Sequence, residues 1–284
     1  MVSNLAEYVE AFSNGGYVYA PFYKSSFPAF TAQYCIDLSM GAGTPKYNAY
    51  IGNQAEATQI IGQGNSSLYV GTVPSGRTRY LHKLYVNQQG SGGGSTHIIL
   101  LDQLMLYPLL DGDSTDAQVM DNTQTLPRYQ DGKGVRLMCV TSAPQSASGV
   151  CTLNYVNQDG ADKTVTFAIV GGTAAGHITN TADPTTASTS RICPFAPLAP
   201  GDTGIRSITS ITFPNPLGGL FNFVLVYPFH HIFSTPFQAS EIEFPKEYMQ
   251  MKEVKEGASL NFIALAVGTV GVTQFNGFVE LVNV

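Results

Sequence analysis

Residues 97–110, HIILLDQLMLYPLL, form the richest apolar run of the chain and decide its fold class. The run is interrupted by Asp102, Gln103 and Pro108, and it is shorter than the roughly 20 apolar residues that a membrane-spanning helix needs. We therefore predict that these residues form a buried β-strand. No other stretch is long and apolar enough to cross a bilayer, so we expect no membrane partner.

Further β-branched and aromatic runs accompany this strand, and Gly, Pro, Asn or Asp bounds almost every one. No convincing helix separates them, which favours antiparallel pairing because parallel strands need long crossovers. The predicted fold class is all-β, an antiparallel two-sheet sandwich of jelly-roll type. The predicted strands are Tyr80–Val86, Ile98–Leu106, Val135–Thr141, Val150–Val156, Thr164–Val170, Ile205–Phe213, Phe221–Val226, Leu260–Val267 and Gly277–Val282.

A short helical segment precedes the strands. Residues 4–7, NLAE, have the form of a capping box, and apolar residues then recur on one helical face until the Asn-Gly-Gly stop at 14–16. A second, weaker helix is predicted over residues 53–61. We expect residues 1–76 to form an N-terminal arm or peripheral region with one or two short helices, and residues 77–284 to form the sandwich domain.

Residues 107–136, YPLLDGDSTDAQVMDNTQTLPRYQDGKGVR, are a long, acidic and turn-dense stretch, called the acidic segment below. Asp-Gly pairs at 111–112 and 131–132 are strong tight-turn signals, because Gly accepts positive φ and the Asp side chain bonds nearby amides. Pro127 favours an extended Leu126. We predict a rigid, ordered loop that serves folding or subunit contact rather than catalysis.

The carboxylates of the acidic segment offer hard oxygen ligands suited to calcium. An EF-hand loop requires Gly at its sixth position and a bidentate Glu at its twelfth, where this sequence has Asp116 and Asn122. We interpret the carboxylates as turn caps, or as partners of nearby arginines within or between subunits, and calcium binding stays an alternative. The predicted structural or subunit-contact residues are Asp111, Asp113, Asp116, Asp121, Arg128 and Arg136.

The sequence contains no nucleophile elbow, Walker loop, dinucleotide fingerprint or HExxH motif. His230 and His231 are adjacent, so on a strand they should point to opposite faces and not readily share a metal. The cysteines match no zinc or redox spacing, and we expect reduced, mostly buried thiols. Cys139 and Cys151 could lie opposite each other across a hairpin. We predict no enzymatic activity and no cofactor.

Charged residues make up 12% of the chain, against about 25% in an average protein. A surface this poor in charge is typical of subunit contacts, because interface cores are depleted in charged side chains. An ordinary β protein with a neutral surface is the alternative. The net charge of −6 argues against nucleic-acid binding, which needs a basic face. Residues 1–16 lack the basic start and apolar run of a secretory signal, so we expect synthesis in a cytoplasm.

Several stretches resemble a family of uncharacterised tailed-bacteriophage proteins, whose members look like virion structural components. The resemblance covers Arg79 to the C-terminus, and the residues before it lie outside it. It supplies no catalytic residues. The stretches that carry it, in order, are RYLHKL at 79–84, YPLLDGDSTDAQVMDNTQTLPRYQDGKGV at 107–135, APLAPGDTGIRSITSITF at 196–213, GGL at 218–220, VLVYP at 224–228 and GASLNFIAL at 257–265.

The resemblance implies a non-enzymatic virion protein of a tailed bacteriophage, made in the host cytoplasm. A decoration or cement protein on the capsid exterior suits many identical low-charge subunits, and it would contact the major capsid protein. We expect a homo-oligomer, with a trimer favoured because decoration proteins often occupy local threefold positions. The alternative is a receptor- or glycan-binding protein of the tail, collar or fibre, for which the 15 tyrosines could supply a platform. A hydrolase would need a paired catalytic site that the sequence does not reveal.

Overall fold

The computed structural model describes residues 5–25, 27, 34–48, 50, 58–64, 66–90, 94–170, 174–179, 181, 193–243, 251–268 and 272–284. In this part of the chain nearly all regular structure is β, and the strands pair antiparallel. None of the helices within these ranges has the length and hydropathy that crossing a bilayer requires. The all-β, antiparallel fold class is therefore confirmed.

The secondary structure begins with a helix and continues as strands. Helix α1 spans Leu5–Ser13, and a 3-10 helix spans Leu38–Met40. The strands are β1 (Tyr17–Ser25), β2 (Cys35–Asp37), β3 (Ala42–Thr44), β4 (Gln59–Ile60), β5 (Arg79–Gly90), β6 (Thr96–Asp111), β7 (Gln118–Val119), β8 (Arg136–Ala143), β9 (Gly149–Asn157), β10 (Asp162–Ile169), β11 (His177–Ile178), β12 (Ile205–Thr212), β13 (Leu220–Ser234), β14 (Ala239–Glu243), β15 (Leu260–Ala266) and β16 (Val272–Asn283).

A closed barrel lies at the centre of the molecule. Its strands follow the order β13-β8-β11-β2-β15-β6, and β6 closes the ring by pairing with β13 along its whole length. The apolar run that predicted a buried strand makes up all of β6 except its two end residues, and β6 also pairs with β15 and β4 on its other edge. Because the barrel closes on itself, β6 has partners on both sides and its backbone groups are paired.

Two open sheets pack on the outside of the barrel. The five-stranded sheet has the order β14-β5-β16-β1-β3, and the four-stranded sheet has the order β10-β9-β12-β7. Successive side chains of β6 point to opposite sides of the strand. Ile99 and Leu101 belong to the core inside the barrel, and Ile98 and Leu100 belong to the core under the five-stranded sheet. Further along β6, Leu104, Tyr107 and other residues join the core under the four-stranded sheet.

The barrel interior also holds a chain of buried polar groups. Tyr50 donates to the Asp37 carboxylate, Gln103 Nε2 donates to the Tyr50 hydroxyl at 2.7 Å, and Asn261 Nδ2 donates to Gln103 Oε1 at 3.1 Å. Nearby, buried Lys24 of β1 donates to the carbonyls of Gly41 and Pro45 at 3.1 and 2.6 Å. Burial lowers the pKa of Lys24 to about 8, and the charge of Asp37 opposes that fall.

The predicted helix at the N-terminus and all of the predicted strands are present, as α1, β5, β6, β8, β9, β10, β12, β13, β15 and β16. The second helix, predicted over residues 53–61, lies mostly outside the described residues, and its described end is wrong because Gln59–Ile60 form β4 on the edge of β6. Strand β1 was not predicted. Residue 4 of the capping box and the side chain of Glu7 lie outside the described structure.

Residues on both sides of the predicted boundary at residue 76 share sheets. β1 pairs with β16 from Tyr17↔Val282 to Ser25↔Gln274, and β2 pairs with β15 and β11 in the barrel. The division of the chain into 1–76 and 77–284 stays a prediction.

Two prolines inside long strands lie beside bulges. Pro108 of β6 lies at a register shift opposite β13, where Leu109 has a φ of 34° and its amide donates to the Asn222 side chain at 3.1 Å. Pro228 of β13 precedes another shift. At the first shift Pro108 itself lies outside the ladder, so no ladder bond requires the amide that proline lacks, whereas at the second shift Phe229 is the residue left out. The two Tyr-Pro stretches therefore mark bends in paired strands.

Candidate contact surfaces and the acidic segment

The acidic segment is ordered and fastened to the four-stranded sheet. Gln118 bonds both backbone groups of Asp111, accepting from its amide at 2.9 Å and donating to its carbonyl at 2.8 Å. The Tyr107 hydroxyl donates to Asn122 at 2.9 Å and accepts from the Ile208 amide at 2.9 Å. Strand β7 then pairs with β12. These bonds agree with the prediction of an ordered loop. They give hydrogen-bond partners to backbone groups that are not paired with a neighbouring strand.

Three aspartates cap turns in this region. Asp111 accepts from the amide of Asp113 at 2.9 Å, Asp121 from that of Thr123 at 2.9 Å, and Asp131 from that of Lys133 at 3.2 Å. These are the side-chain to backbone bonds expected of Asp in turns. The carboxylates of Asp113 and Asp116, by contrast, are exposed and have no hydrogen-bond partner within the described ranges.

The two Asp-Gly pairs use glycine for different reasons. Gly132 has a φ of 73°, the left-handed conformation that the turn signal predicted. Gly112 does not have positive φ; a Cβ there would lie 2.2 Å from the carbonyl oxygen of Gly218. Gly112 is therefore needed for close backbone contact with the loop before β13.

Arg128 pairs with a carboxylate outside the acidic segment. Its Nε and Nη2 donate to the two oxygens of Asp102 at 2.8 Å each, and both side chains are buried. Nη2 also donates to the carbonyls of Ile61 and Gln103, each at 3.0 Å. Within the subunit, the partner proposed among Asp111, Asp113, Asp116 and Asp121 is thus replaced by Asp102 of β6. A role for those aspartates between subunits stays a prediction.

The Asp102 carboxylate accepts hydrogen bonds from a side chain and from the backbone. The Ser259 amide donates a further bond to Asp102 at 2.8 Å, so the carboxylate joins β6, the acidic segment and the residues before β15. Burial raises the pKa of Asp102, while the hydrogen bonds and charge of Arg128 oppose that rise. A buried ion pair contributes little net stability over apolar packing, but removal of one partner leaves an uncompensated charge and is costly.

Two stacked aromatic rings lie next to the ion pair, where the core under the five-stranded sheet meets the core under the four-stranded sheet. Tyr129, which follows Arg128, stacks on Tyr227 of β13 with ring centroids 3.9 Å apart and planes inclined by 2°. Tyr227 packs against both outer cores, and the Lys252 ammonium lies 5.6 Å from its ring. We call Asp102, Arg128, Tyr129 and Tyr227 the junction, since they lie where the cores under the two sheets meet.

The remaining predicted residues are dispersed. Arg136 lies at the start of β8 opposite Val226, and its charge opposes the rise in the pKa of Tyr155 that burial causes. Cys139 and Cys151 are buried in one core but belong to different sheets, so they do not face each other across a hairpin. The rings of His230 and His231 stack at 5.3 Å instead of pointing to opposite faces. In the described ranges no three His, Cys, Asp or Glu side chains are grouped to hold a metal ion.

The outer face of the four-stranded sheet is almost free of charge. Cross-strand register places Thr164, Asn154, Ser210 and Val119 in one row across all four strands. Asn154 donates to Ser210 at 2.9 Å and accepts from Thr164 at 2.6 Å, which fixes the row. A parallel row places Thr166, Thr152 and Thr212 side by side. We call these seven residues the hydroxyl face.

The outer face of the five-stranded sheet carries aromatic rings instead. Phe278 of β16 lies between Tyr85 of β5, whose ring is 4.8 Å away and nearly parallel, and Tyr19 of β1, whose ring is 5.0 Å away. Tyr17 and Tyr23 point outward from the same side of β1. We call these five residues the aromatic face.

Sequence reasoning missed both faces. The alternation Tyr17-Val18-Tyr19 and Phe22-Tyr23 is a strand signal, but Pro21 interrupts it, and β1 pairs with β16, which lies at the other end of the chain. The Thr and Ser residues of the hydroxyl face were visible as polar positions between apolar ones in β9, β10 and β12. Only the register between strands shows that they form rows.

Comparisons with known proteins give no family. No protein-family model and no curated protein matches the chain. Among solved structures, it is similar at 9% identity to the D431N mutant VP2 protein of infectious bursal disease virus in T=1 particles, over 94% of this chain and 77% of that one with a TM-score of 0.20. The VP2 subviral particle of the same virus gives 8% identity, coverages of 94% and 79%, and a TM-score of 0.18. Likeness at this level is too slight to indicate a shared function.

Proposed function

We propose that this chain is a non-enzymatic virion structural protein of a tailed bacteriophage, a decoration or cement protein on the exterior of the head. It would act as a homo-oligomer, with a trimer favoured, and contact the major capsid protein. The ordered motif resemblance from Arg79 onward and the charge content of 12% support this proposal. The two-sheet, jelly-roll arrangement predicted for such a protein is not confirmed, because the described strands form a six-stranded barrel and two open sheets.

The hydroxyl face is the observation that carries the proposal. It is a sheet surface whose rows consist of hydroxyl, amide and apolar side chains, and Val119 at its edge is 76% exposed. Burying these two rows against another protein desolvates no charged side chain, and the cores of protein interfaces are depleted in charge. The next row carries one exposed carboxylate, Asp162, opposite Val156. A subunit contact on this face would account for the low charge content.

Charge placed on the hydroxyl face tests this contact. We expect Asn154→Arg and Thr166→Arg to convert the oligomer of the purified protein to monomer, because each buries an unpaired charge in the contact. Sedimentation velocity at micromolar concentration measures the change. Tyr19→Arg on the aromatic face is the matched control and should leave the oligomer intact. A wild-type protein that sediments as a monomer would contradict the proposal.

Copy number tests the position in the virion. Quantitative mass spectrometry of purified particles, referred to the major capsid protein, should give hundreds of copies for a shell protein. A few to some dozens of copies would instead favour the tail, collar or fibre.

A further inference from the structure

The aromatic face has the shape of a binding platform. Tyr19 and Tyr23 are 52% and 44% exposed, although each is a large ring on a paired strand. They lie on the same side of β1 and are about 14 Å apart at the usual rise of a strand. Two exposed rings at this separation on one side of a strand can contact an extended ligand at two points.

The rings are held in place before any ligand arrives. The ring of Tyr19 contacts that of Phe278, and Phe278 stacks on Tyr85 with planes inclined by 3°. Phe12 of α1 supports Tyr17 in the same way, at 5.5 Å between ring centroids. Rigid aromatic side chains lose little conformational entropy on binding, which is why they serve as anchors in recognition surfaces.

Neutral polar side chains adjoin the rings. Asn276 and Asn87 form the next row of the sheet beside Tyr23, and Gln274 bonds Gln89 in the row beyond. Thr44 of β3 lies opposite Tyr23 on its other side. These amide and hydroxyl groups can exchange hydrogen bonds with a hydroxyl-rich ligand without charge.

The charge of the face limits what can bind. Glu280, Glu241 and Glu243 lie in the same rows as the rings, and Lys83 lies 2.9 Å from Glu241. The ring nitrogens of His82 lie 3.3 Å from Glu280 and 3.4 Å from Glu243. The excess of carboxylates repels anionic polymers. It also disfavours symmetric contact with a second copy of this face, because like charges would meet.

We infer that the aromatic face binds a neutral oligosaccharide, which lies along β1 with its sugar rings stacked on Tyr19 and Tyr23. The apolar faces of sugar rings pack on aromatic rings, and their hydroxyls would bond the neighbouring amides. This activity does not depend on the proposed position in the head, and its site lies on a different sheet from the hydroxyl face.

Affinity electrophoresis tests the inference with soluble polysaccharides as probes. The full-length protein is run through gels that contain dextran, galactomannan, hydroxyethyl cellulose or, as the anionic probe, alginate. We expect at least one neutral polymer to retard the wild type in a saturable way, and alginate to have no effect. Lack of retardation by every neutral polymer, or retardation by alginate alone, would overturn the inference.

Variants locate the site. Tyr19→Ala and Tyr23→Ala should each weaken binding by about tenfold or more, roughly the loss of one anchor contact. Tyr69→Ala is the matched control, since Tyr69 is 79% exposed and lies outside the face. Tyr19→Phe keeps the ring and should keep most of the binding, which separates stacking from misfolding. Equal losses in Tyr69→Ala and Tyr19→Ala, or unchanged binding in both variants of the face, would place the ligand elsewhere.

Discussion

The hydroxyl face and the aromatic face share one architecture and differ in chemistry. Each lies on the outside of an antiparallel sheet whose inner side packs on the same barrel. The inner sides are alike, with Leu, Ile, Val and Phe in both cores. The outer sides carry Thr, Ser and Asn on one sheet and Tyr, Phe, Glu and Lys on the other.

The contrast shows which positions the fold determines. Most residues that face the barrel are apolar, because their burial supplies most of the stability, and buried polar residues such as Lys24 have hydrogen-bond partners. Residues that face outward are free of that demand, so their composition reflects what each sheet meets. A neutral face suits a permanent neighbour, whereas a face with anchored rings and surrounding charge suits a selective ligand.

The largest effect is expected at the junction, which both sheets share. Arg128→Ala leaves Asp102 charged and buried, so the free energy of unfolding should fall by about 3–5 kcal/mol. Urea denaturation measures it. The double variant Arg128→Met/Asp102→Leu removes both charges and should recover most of the loss. If the free energy of unfolding of the single variant falls by less than about 1 kcal/mol, the ion pair does not stabilise the junction between the two outer cores.

The next largest effect is a pH dependence of stability, which we expect from buried Lys24 in the five-stranded sheet. The pKa of this side chain is about 8 in the folded protein and 10.5 when unfolded, so the unfolded state binds more protons between these values. The contribution of Lys24 to stability should therefore grow with pH from about 8 to 10, by up to about 3 kcal/mol at 1.36 kcal/mol per pKa unit. The stability of the wild type relative to Lys24→Met should rise by that amount. Denaturation curves of both proteins at pH 7, 8, 9 and 10 measure the difference.

Buried thiols and tyrosines have the opposite effect. Burial raises the pKa values of three cysteines and three tyrosines, so from about pH 9 upward the unfolded state loses these protons first and their contribution lowers the stability. They are Cys35, Cys139, Cys151, Tyr50, Tyr107 and Tyr129. Comparison of wild type with Lys24→Met cancels this contribution. A constant difference between the two proteins from pH 7 to 10 would contradict the assignment to Lys24.

A smaller effect is expected in the acidic segment beside the four-stranded sheet. Asp111→Ala and Asp121→Ala each remove a capping bond and should lower the free energy of unfolding by about 0.5–1.5 kcal/mol. The double variant Asp113→Ala/Asp116→Ala is the control and should stay within about 0.5 kcal/mol of wild type. Thermal melts of the wild type with and without a chelator should coincide. A melting temperature that a chelator lowers and calcium restores would instead support the calcium alternative.

The smallest effect is expected from the ion pair on the aromatic face. Lys83 and Glu241 lie 2.9 Å apart, but Glu241 is largely in solvent, and exposed pairs contribute about 0–1 kcal/mol. Lys83→Met should therefore change stability by less than about 0.5 kcal/mol. Asn154→Ala on the hydroxyl face should cost more, about 1 kcal/mol, because two cross-strand bonds are lost. Chemical denaturation measures the free energy of unfolding of both variants. A larger loss in Lys83→Met than in Asn154→Ala would contradict the prediction.

Local patterns in the sequence predicted the strands but not their arrangement. Strong alternation and flanking turns identified β5, β9 and β12, because these signals depend on a few neighbouring residues. Closure of the barrel depends on the pairing of β6 with β13, more than 100 residues apart, as in Thr96↔Ser234. No local pattern encodes that pairing.

The candidate site was predicted to a similar extent. Asp-Gly signals identified the turn at Gly132, and the capping role holds for Asp111 and Asp121. The partner of Arg128 was missed, although Asp102 was visible as a carboxylate within the most apolar run of the chain. A charge in such a run must find a buried partner, and that requirement was the available signal.

The pairing of β1 with β16 has a consequence for the order of folding. Residues 118–212 contain every strand of the four-stranded sheet, so that sheet can assemble while later residues are still being synthesised. The five-stranded sheet joins Tyr17 to Val282 and cannot be completed until Val282 has left the ribosome. Until then β1 exposes an unpaired edge, a state prone to aggregation, and contacts of such long range form slowly. Pulse-labelled hydrogen exchange during refolding should protect the amides of β9 before those of β16.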